Sequence, residues 1–201
     1  MTPTAHILLV DHLADWEPGY LLTELNTGRF TQEPWNVVAV AAAHDPVPTM
    51  GGMHWLPDLT LDALDPAESD LLILPGGAGW EPGQEVPYVQ VASRFLDAGV
   101  PVAAICGATE GLARAGLLDN RAHTGAAREA LQATGYAGEG HYLDQRAVAQ
   151  DGLITAGPQS PVQFACAALG MLGLMSQERL AAYEGVFGRG DATGYPVLMA
   201  S

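Results

Sequence analysis

The chain is poor in cysteine, in basic side chains and in long apolar runs. Its 201 residues include two cysteines, Cys106 and Cys166, too few for the disulfide framework of a secreted protein. The 8 Lys and Arg residues face 23 Asp and Glu, and the formal net charge of −15 disfavours nucleic acids and anionic lipids as partners. No apolar run approaches the roughly 18 residues of a membrane-spanning helix, and no signal-peptide pattern precedes the first apolar run. We therefore expect a cytoplasmic protein that binds neither membranes nor nucleic acid.

Short apolar runs alternate with helical patterns along the chain. With 48% hydrophobic residues, 24 Gly and 14 Pro, the composition is typical of a folded α/β protein with tight connections. The predicted strands are His6–Val10, Trp35–Ala43, Asp70–Leu74, Pro101–Ile105 and a hairpin of Ala147–Ala149 with Leu153–Ala156. The predicted helices are Tyr20–Leu25, Val89–Ala98, Glu110–Leu117, Ala127–Thr134 and Pro161–Leu174. Val47–Leu59 is predicted as a hairpin or edge excursion, and the tail from Gly185 is weakly specified. We expect a single domain, 1–201, in which helices cover both faces of a mostly parallel sheet.

Cys106 lies between a predicted strand and a predicted helix, among small residues. A nucleophile on a tight strand-to-helix turn requires such neighbours. A helix N-terminus also stabilises a thiolate, which would lower the pKa of Cys106. A buried core cysteine explains the position equally well, because cysteine is a common small core residue. Cys166 falls within an apolar helical run and is predicted to be core.

Two other strand ends carry candidate site residues. Ligands of open α/β sheets bind beyond the carboxyl ends of the strands. Gly76 and Gly77 end one strand, and their amides can bind a developing oxyanion or simply form a turn. Glu17 lies in an acidic turn after the first strand. It can hydrogen-bond to a nearby thiol, or it can serve only to start a helix.

Taken together, these segments resemble the ThiJ/PfpI family, which has a class I glutamine-amidotransferase-like, flavodoxin-type three-layer sandwich. The matching segments are Ala14–Glu17, Leu72–Gly77, Val102–Ala108, Ala115–Asp119, Arg121–Thr124 and Asp151–Ala156. The likeness extends from about residue 6 to residue 175. Its most specific part is the pair LPGG and AICGA, about thirty residues apart.

The resemblance implies roles for the matched positions. Cys106 corresponds to the nucleophile of the strand–helix elbow, and Glu17 to the carboxylate that contacts its sulfur. Gly77 and Gly107 correspond to the two amides of the oxyanion hole. The resemblance therefore favours a reactive thiol over a core cysteine.

The chain departs from the family pattern at the histidine. Some members place a histidine directly after the nucleophile, where this chain has Gly107, and others place it where this chain has Gly125. His123 stands two positions earlier, and on a strand a two-residue offset returns a side chain to the same face. We predict His123 as the catalytic partner, with His141 as a second candidate. A core or surface position is the alternative for both.

Two functions are implied by the matched residues, and a catalytically silent relative that binds a partner is a third possibility, because this fold does not fix function. The first is a cysteine-dependent hydrolase or amidase-like enzyme acting on a small carbonyl or amide, including glyoxalase- or deglycase-type chemistry. Cys106 would attack the carbonyl, the Gly77 and Gly107 amides would stabilise the oxyanion, and His123 or His141 would transfer the proton. The alternative is a redox-sensing or stress-protective protein in which Cys106 is oxidised. The missing histidine favours this alternative, because oxidation needs no general base.

The expected partners are a small-molecule substrate and, as is common in the family, a second copy of the chain in a homodimer. The sequence has no metal-spaced His/Cys cluster and no Rossmann fingerprint, so neither a metal nor a cofactor is predicted. Trp16 and Trp80 either line the pocket or belong to the core. Glu110, one helical turn after Cys106, either faces the pocket or occupies a helix start that favours a carboxylate.

Overall fold

A seven-stranded sheet forms the centre of the computed structural model, which describes residues 2–200. Its strands are β1 (Thr4–Leu8), β2 (Asn36–Ala41), β5 (Leu59–Thr60), β6 (Leu71–Leu74), β7 (Val102–Ile105), β8 (Ala147–Gln150) and β9 (Leu153–Ala156). The order across the sheet is β5-β2-β1-β6-β7-β9-β8. All neighbours are parallel except β8, which runs antiparallel to β9. The mostly parallel sheet predicted from the sequence is confirmed.

Helices cover both faces of this sheet. They are α1 (Gly19–Thr27), α2 (Val86–Asp97), α3 (Gly107–Arg114), α4 (Arg128–Gln132), α5 (Pro161–Met171), α6 (Gln177–Tyr183) and α7 (Tyr195–Met199). Side chains alternate along a strand, so Ala5 and Ile7 of β1 join a core cluster with α1, α5 and α6. Leu8 joins the opposite cluster, which includes residues of α2 and α3. The architecture is the flavodoxin-like three-layer sandwich expected from the family resemblance.

Residue types explain the central strands. All four residues of β6, and all four of β7, are fully buried, as both faces of a parallel strand inside a sandwich require. The predicted hairpin is also present, because β8 and β9 meet at Asp151 and Gly152. Both turn residues have positive φ, 51° and 76°, which matches the right-handed twist of a two-residue hairpin.

The helix predicted around Glu110 has different bounds in the structure, and two segments that were predicted only loosely take a definite form. The helix expected over Glu110–Leu117 begins earlier, at Gly107, and ends at Arg114, two residues before Gly116, whose φ is 73°. The excursion expected over Val47–Leu59 consists of an antiparallel pair, β3 (Val47–Pro48) and β4 (His54–Trp55), followed by edge strand β5. The tail from Gly185 forms part of a π-helical turn and then α7.

A cluster of Glu24, Arg29 and Tyr183 connects α1 to α6. The Glu24 side chain on α1 is fully buried, and its Oε1 accepts hydrogen bonds from Arg29 Nε at 2.8 Å and from Tyr183 Oη at 2.9 Å. The Arg29 guanidinium lies 4.7 Å from the centre of the Phe30 ring. Burial, followed by the charge of Glu24, raises the pKa of Tyr183. These contacts hold α1, and hence the turn before it, against the rest of the layer.

Within residues 2–200, no helix is both long enough and apolar enough to cross a membrane.

Candidate active site

Cys106 occupies a sharp turn between β7 and α3. Its φ of 62° and ψ of −130° form a conformation that L-residues rarely adopt. The Cys106 N–H donates to the Ala156 carbonyl at 3.0 Å, and the Cys106 carbonyl accepts from Thr109 Oγ1 at 2.7 Å. Hydrogen bonds from β9 and from α3 therefore hold the strained residue. The half-buried thiol lies at the carboxyl end of β7.

Glu17 approaches the thiol from the turn that follows β1. Its side chain is fully buried, and Oε2 accepts a hydrogen bond from the Gly76 N–H at 2.6 Å. Glu17 Oε2 and Cys106 Sγ both lie 2.8 Å from the point that a β-carbon on Gly76 would occupy. Oε1 has no hydrogen-bond partner within the described chain. The carboxyl group thus has Oε2 held by the backbone near the sulfur, while Oε1 lacks a hydrogen-bond partner.

Two adjacent negative charges on Cys106 and Glu17 are unfavourable. Burial raises the pKa of the Glu17 carboxyl, against the opposing effects of Cys106 and the Gly76 N–H. Burial, then the charge of Glu17, raises the pKa of Cys106 to about 12, and the charge of Glu110 acts in the same direction. The Gly107 N–H at the start of α3 opposes this shift without outweighing it. The lowered thiol pKa expected from the helix N-terminus is therefore wrong, because burial and the charge of Glu17 outweigh the Gly107 N–H.

It follows that the pair keeps at least one proton at neutral pH. When the proton is on sulfur, Cys106 is a weak nucleophile. When the proton is on Glu17, Cys106 is a thiolate beside a neutral carboxylic acid, and the repulsion between charges is absent. Reactivity at neutral pH therefore depends on the second arrangement of the same proton.

Glycines make the close approach possible. A β-carbon on Gly76 would lie 2.7 Å from Cys106 Cβ, and one on Gly77 would lie 2.7 Å from Val10 Cγ2. The Gly107 N–H acts on the Cys106 sulfur. The Gly77 N–H has no hydrogen-bond partner in the described residues, and the Gly77 carbonyl oxygen lies 3.8 Å from the β-carbon position of Gly107. Both glycines predicted for an oxyanion hole therefore lie close to the turn that carries the thiol.

His123 lies in a different environment. It is fully buried, with Nδ1 2.8 Å from the Arg121 carbonyl and Nε2 3.0 Å from Tyr136 Oη. Both ring nitrogens are thus engaged by groups other than the thiol, and burial lowers the pKa of His123. His141 is exposed and contacts His123 through the backbone, since the His123 N–H donates to its carbonyl at 3.2 Å. The structure brings neither histidine into the group formed by Cys106, Glu17 and the glycines.

Position 125, where some relatives have their histidine, is closed in this chain. A β-carbon on Gly125 would lie 2.9 Å from Thr109 Oγ1 and 3.1 Å from Leu131 Cδ1. A larger side chain would have to displace α4 or the hydroxyl that supports the Cys106 carbonyl. The departure from the family pattern is therefore built into the packing around the elbow.

Of the two tryptophans, one is core and one lies at the surface. Trp80 is 2% exposed, its Nε1 donates to the Pro75 carbonyl at 2.7 Å, and its ring covers Gly111 of α3. Trp16, the neighbour of Glu17, is 51% exposed, and its Nε1 donates to the Pro158 carbonyl at 3.2 Å. Trp16 thus forms part of the surface next to the thiol site, and Trp80 packs against α3 in the core.

Comparison with known proteins identifies the family of this chain. The model of the DJ-1/PfpI family matches residues 3–171. The chain belongs to the DJ-1/PfpI family. The resemblance inferred from the sequence motifs is thereby confirmed.

Individual members of the DJ-1/PfpI family cover most of this chain. "Uncharacterized protease YoaZ" of Bacillus subtilis is 34% identical over 184 residues, which are 89% of this chain and 88% of that protein. A ThiJ/PfpI family protein from Bacillus anthracis superposes with a TM-score of 0.92 at 35% identity, covering 99% of this chain and 96% of that one. The DJ-1 superfamily protein Atu0886 from Agrobacterium tumefaciens gives 0.84 at 36% identity, covering 94% and 100%.

Two residues of this DJ-1/PfpI protein have roles in the site that were not predicted from the sequence. Gly76, and not Gly77, supplies the N–H that binds Glu17. Thr109 supplies the hydroxyl that binds the Cys106 carbonyl. A threonine three residues after a turn residue is a recognisable signal for such a bond. No group of three or more His, Cys, Asp or Glu in residues 2–200 is arranged to hold a metal ion.

Proposed function

We propose that the protein is a cysteine-dependent enzyme acting on small carbonyl compounds, with Cys106 as nucleophile and Glu17 as the group that moves the proton. The observation that carries this proposal is the placement of the Glu17 carboxyl beside the Cys106 sulfur, while both nitrogens of His123 are bound elsewhere. Addition of a thiol to an aldehyde needs one proton transfer and no leaving group. A single carboxyl group is sufficient for it.

In the addition step, the Glu17 carboxylate accepts the thiol proton and the thiolate attacks the carbonyl carbon. The S–C bond forms, the C=O π bond breaks, and the oxygen takes the proton back from Glu17, which gives a hemithioacetal. The Gly77 and Gly107 amides are the donors available to the oxygen as its charge develops.

With a 2-oxoaldehyde, the same carboxylate can complete an internal redox reaction. It removes the C–H proton of the hemithioacetal carbon, and the electron pair forms the C=C bond of an enediolate as the neighbouring carbonyl becomes an alkoxide. Glu17 returns that proton to the neighbouring carbon, and the hydroxyl proton of the former aldehyde carbon passes to the alkoxide oxygen, which gives a thioester of a 2-hydroxy acid. Water then cleaves the thioester and regenerates the Cys106 thiol. One carbon is oxidised and its neighbour is reduced, so no external redox partner is needed.

Amide or ester hydrolysis is the variant to test beside this reaction, because the names of two Bacillus subtilis relatives include the word protease. In that variant the tetrahedral adduct at Cys106 expels an amine or alcohol. The leaving group must take its proton from Glu17, and water then cleaves the same type of thioester.

The test measures conversion of methylglyoxal to lactate, and of a p-nitrophenyl ester and a p-nitroanilide to their chromophores. We expect Cys106→Ala to abolish turnover and Glu17→Gln to reduce it by about 10²- to 10⁴-fold, the usual contribution of a positioned acid–base group. Cys166→Ala is the matched control for loss of a thiol, and we expect it to retain activity within about twofold. Turnover by Cys106→Ala at the wild-type rate would overturn the proposal.

Oxidation of Cys106 is a second candidate function, favoured by the Glu17 oxygen that lacks a partner. Thiolate attack on hydrogen peroxide gives a sulfenic acid and hydroxide, and a second peroxide gives the sulfinic acid and water. Protonated Glu17 could donate to an oxygen on the oxidised sulfur. Intact mass after mild peroxide treatment should show two added oxygens that are absent in Cys106→Ala. An unmodified mass, or oxygens that persist in that variant, would contradict this function.

A further inference from the structure

A cavity of about 440 Å³ lies between the start of α4, the segment before β8 and the loop after β9. Its wall includes Gly125, Arg128, Tyr142, Arg146 and Gln159. The chain has eight Lys and Arg residues, and all eight are arginines. Two of these arginines line this one cavity of a protein whose net charge is −15. Two carboxylates line the same wall, so the question is whether the arginines are paired with them.

Arg146 is held in a defined orientation by uncharged groups. Its Nε donates to Ser160 Oγ at 2.7 Å, and its guanidinium also donates to the Gln159 carbonyl. Ser160 is fully buried, so this anchor is part of the folded core. A guanidinium has five N–H donors, and these two bonds leave others available on the cavity side.

Arg128 is held by an aromatic ring. Its guanidinium carbon lies 4.4 Å from the centre of the Tyr142 ring, in the geometry of a cation–π contact. Glu129 and Asp144 also line the cavity, yet within residues 2–200 neither Arg128 nor Arg146 lies within ion-pair distance of a carboxylate. Both positive charges are therefore available to a ligand.

The cavity adjoins the elbow that carries the thiol. A β-carbon on Gly125 in the cavity wall would lie 2.9 Å from Thr109 Oγ1, which donates to the Cys106 carbonyl. On the other side, Gln159 follows the end of β9, where the Ala156 carbonyl accepts the Cys106 N–H. One hydroxyl and one strand end thus place the wall of the cavity next to the backbone of Cys106.

We infer that this cavity binds a carboxylate of the substrate, so that the substrates are small aldehydes or ketones that also carry a carboxylate group. Planar guanidinium groups match a carboxylate in shape and donate to both of its oxygens. The inference rests on the proposed function for the chemistry at Cys106 and specifies the class of molecule on which that chemistry acts. Glu129 and Asp144 would exclude dianionic groups by repulsion, which favours a single carboxylate.

The experiment compares oxo acids with neutral aldehydes of the same length. Because the proposed turnover needs a 2-oxoaldehyde, 4,5-dioxopentanoate and 5,6-dioxohexanoate are paired with 2-oxopentanal and 2-oxohexanal, and formation of the 2-hydroxy acid is measured with the purified protein. We expect at least one oxo acid to have a kcat/KM about 10- to 100-fold above its neutral partner, the size expected of charge-assisted hydrogen bonds. Arg128→Ala and Arg146→Ala should remove this preference by lowering kcat/KM for the oxo acid toward that of its neutral partner.

Arg94→Ala is the matched control, because Arg94 is exposed and lines a different surface region on α2. It removes one positive charge and should leave the preference intact. An equal preference in wild type and in both arginine variants would overturn the inference, as would equal kcat/KM for acids and aldehydes.

Calorimetric binding to Cys106→Ala separates this inference from the proposed function. If that variant still turns over substrate, the proposed chemistry is wrong. Binding of 4,5-dioxopentanoate to Cys106→Ala that is weakened about tenfold or more by Arg146→Ala would still support the carboxylate site. The absence of such an effect, in a protein whose turnover depends on Cys106, would refute the site and leave the chemistry standing.

Discussion

Gly76 and Cys106 approach so closely that a β-carbon on Gly76 would lie 2.8 Å from the Cys106 sulfur. The same β-carbon would lie 2.8 Å from Glu17 Oε2. A methyl group at this position has no free volume, so it must separate the thiol from the carboxyl group or displace the strand ends that carry them.

We therefore predict that Gly76→Ala impairs both stability and reactivity. The free energy of unfolding in urea should fall by about 1–3 kcal/mol, the usual cost of overpacking. Turnover should fall by at least about tenfold. Gly140→Ala is the matched control, because a β-carbon at Gly140 meets nothing within 4 Å. Wild-type turnover in Gly76→Ala would show that the close contact is unnecessary.

A second prediction concerns the shared proton of Glu17 and Cys106. The rate of alkylation by iodoacetamide, measured against pH in the Cys166→Ala background, should show two inflections. The first follows the raised pKa of Glu17, as the pair loses one proton and the thiolate with neutral Glu17 becomes populated. The second lies toward the value of about 12 to which burial and the charge of Glu17 raise the pKa of Cys106.

In Glu17→Gln, the neighbouring group carries neither a charge nor a titrating proton. The profile should then have a single inflection below about 12, because the repulsion by the carboxylate is gone. Two inflections in Glu17→Gln, or one in the parent protein, would show that the two groups do not titrate as a pair.

A third prediction assigns His123 a structural part. His123→Phe removes the partners of the Arg121 carbonyl and Tyr136 hydroxyl, so the free energy of unfolding at pH 7 should fall by about 1–3 kcal/mol. Alkylation of Cys106 should stay within about twofold of wild type. If His123 were the catalytic partner, turnover would instead fall by about 10²-fold or more at unchanged stability.

The pH dependence of this difference follows from the direction of the shift. Burial lowers the pKa of His123 in the folded protein, so the unfolded chain takes up the proton first as pH falls below about 6.5. The neutral, buried histidine contributes full stability above that pH, and the contribution is lost as pH falls toward the folded pKa. The stability gap between wild type and His123→Phe should narrow between pH 7 and pH 5. His6, whose pKa burial also lowers, is present in both proteins and cancels in the comparison.

The apolar runs were sufficient to predict the centre of the fold. The run LLIL became β6 and the run VAAI became β7, because strands buried on both faces must be apolar throughout. The contact between Glu17 and Cys106 could not be derived from either segment alone. It depends on how β1, β6 and β7 are ordered in the sheet, and only the family resemblance indicated it beforehand.

Two expectations about the site depended on features that a sequence does not show. The sequence shows that a helix begins after Cys106, but it does not show that the sulfur is half-buried beside a carboxylate. His123 was assigned by the two-residue period of a strand. In the structure it forms a single bridge, with Tyr142, so that period does not apply and the ring turns toward Tyr136.

The backbone conformation of Cys106 lowers the stability of the fold, while the chemistry requires a cysteine at this position. A φ of 62° with a ψ of −130° is natural for glycine and costs a cysteine about 1–3 kcal/mol. Directed evolution for heat resistance alone would therefore favour glycine at position 106 and discard the thiol. A library screened for thermal tolerance would enrich inactive proteins there unless activity were selected at the same time.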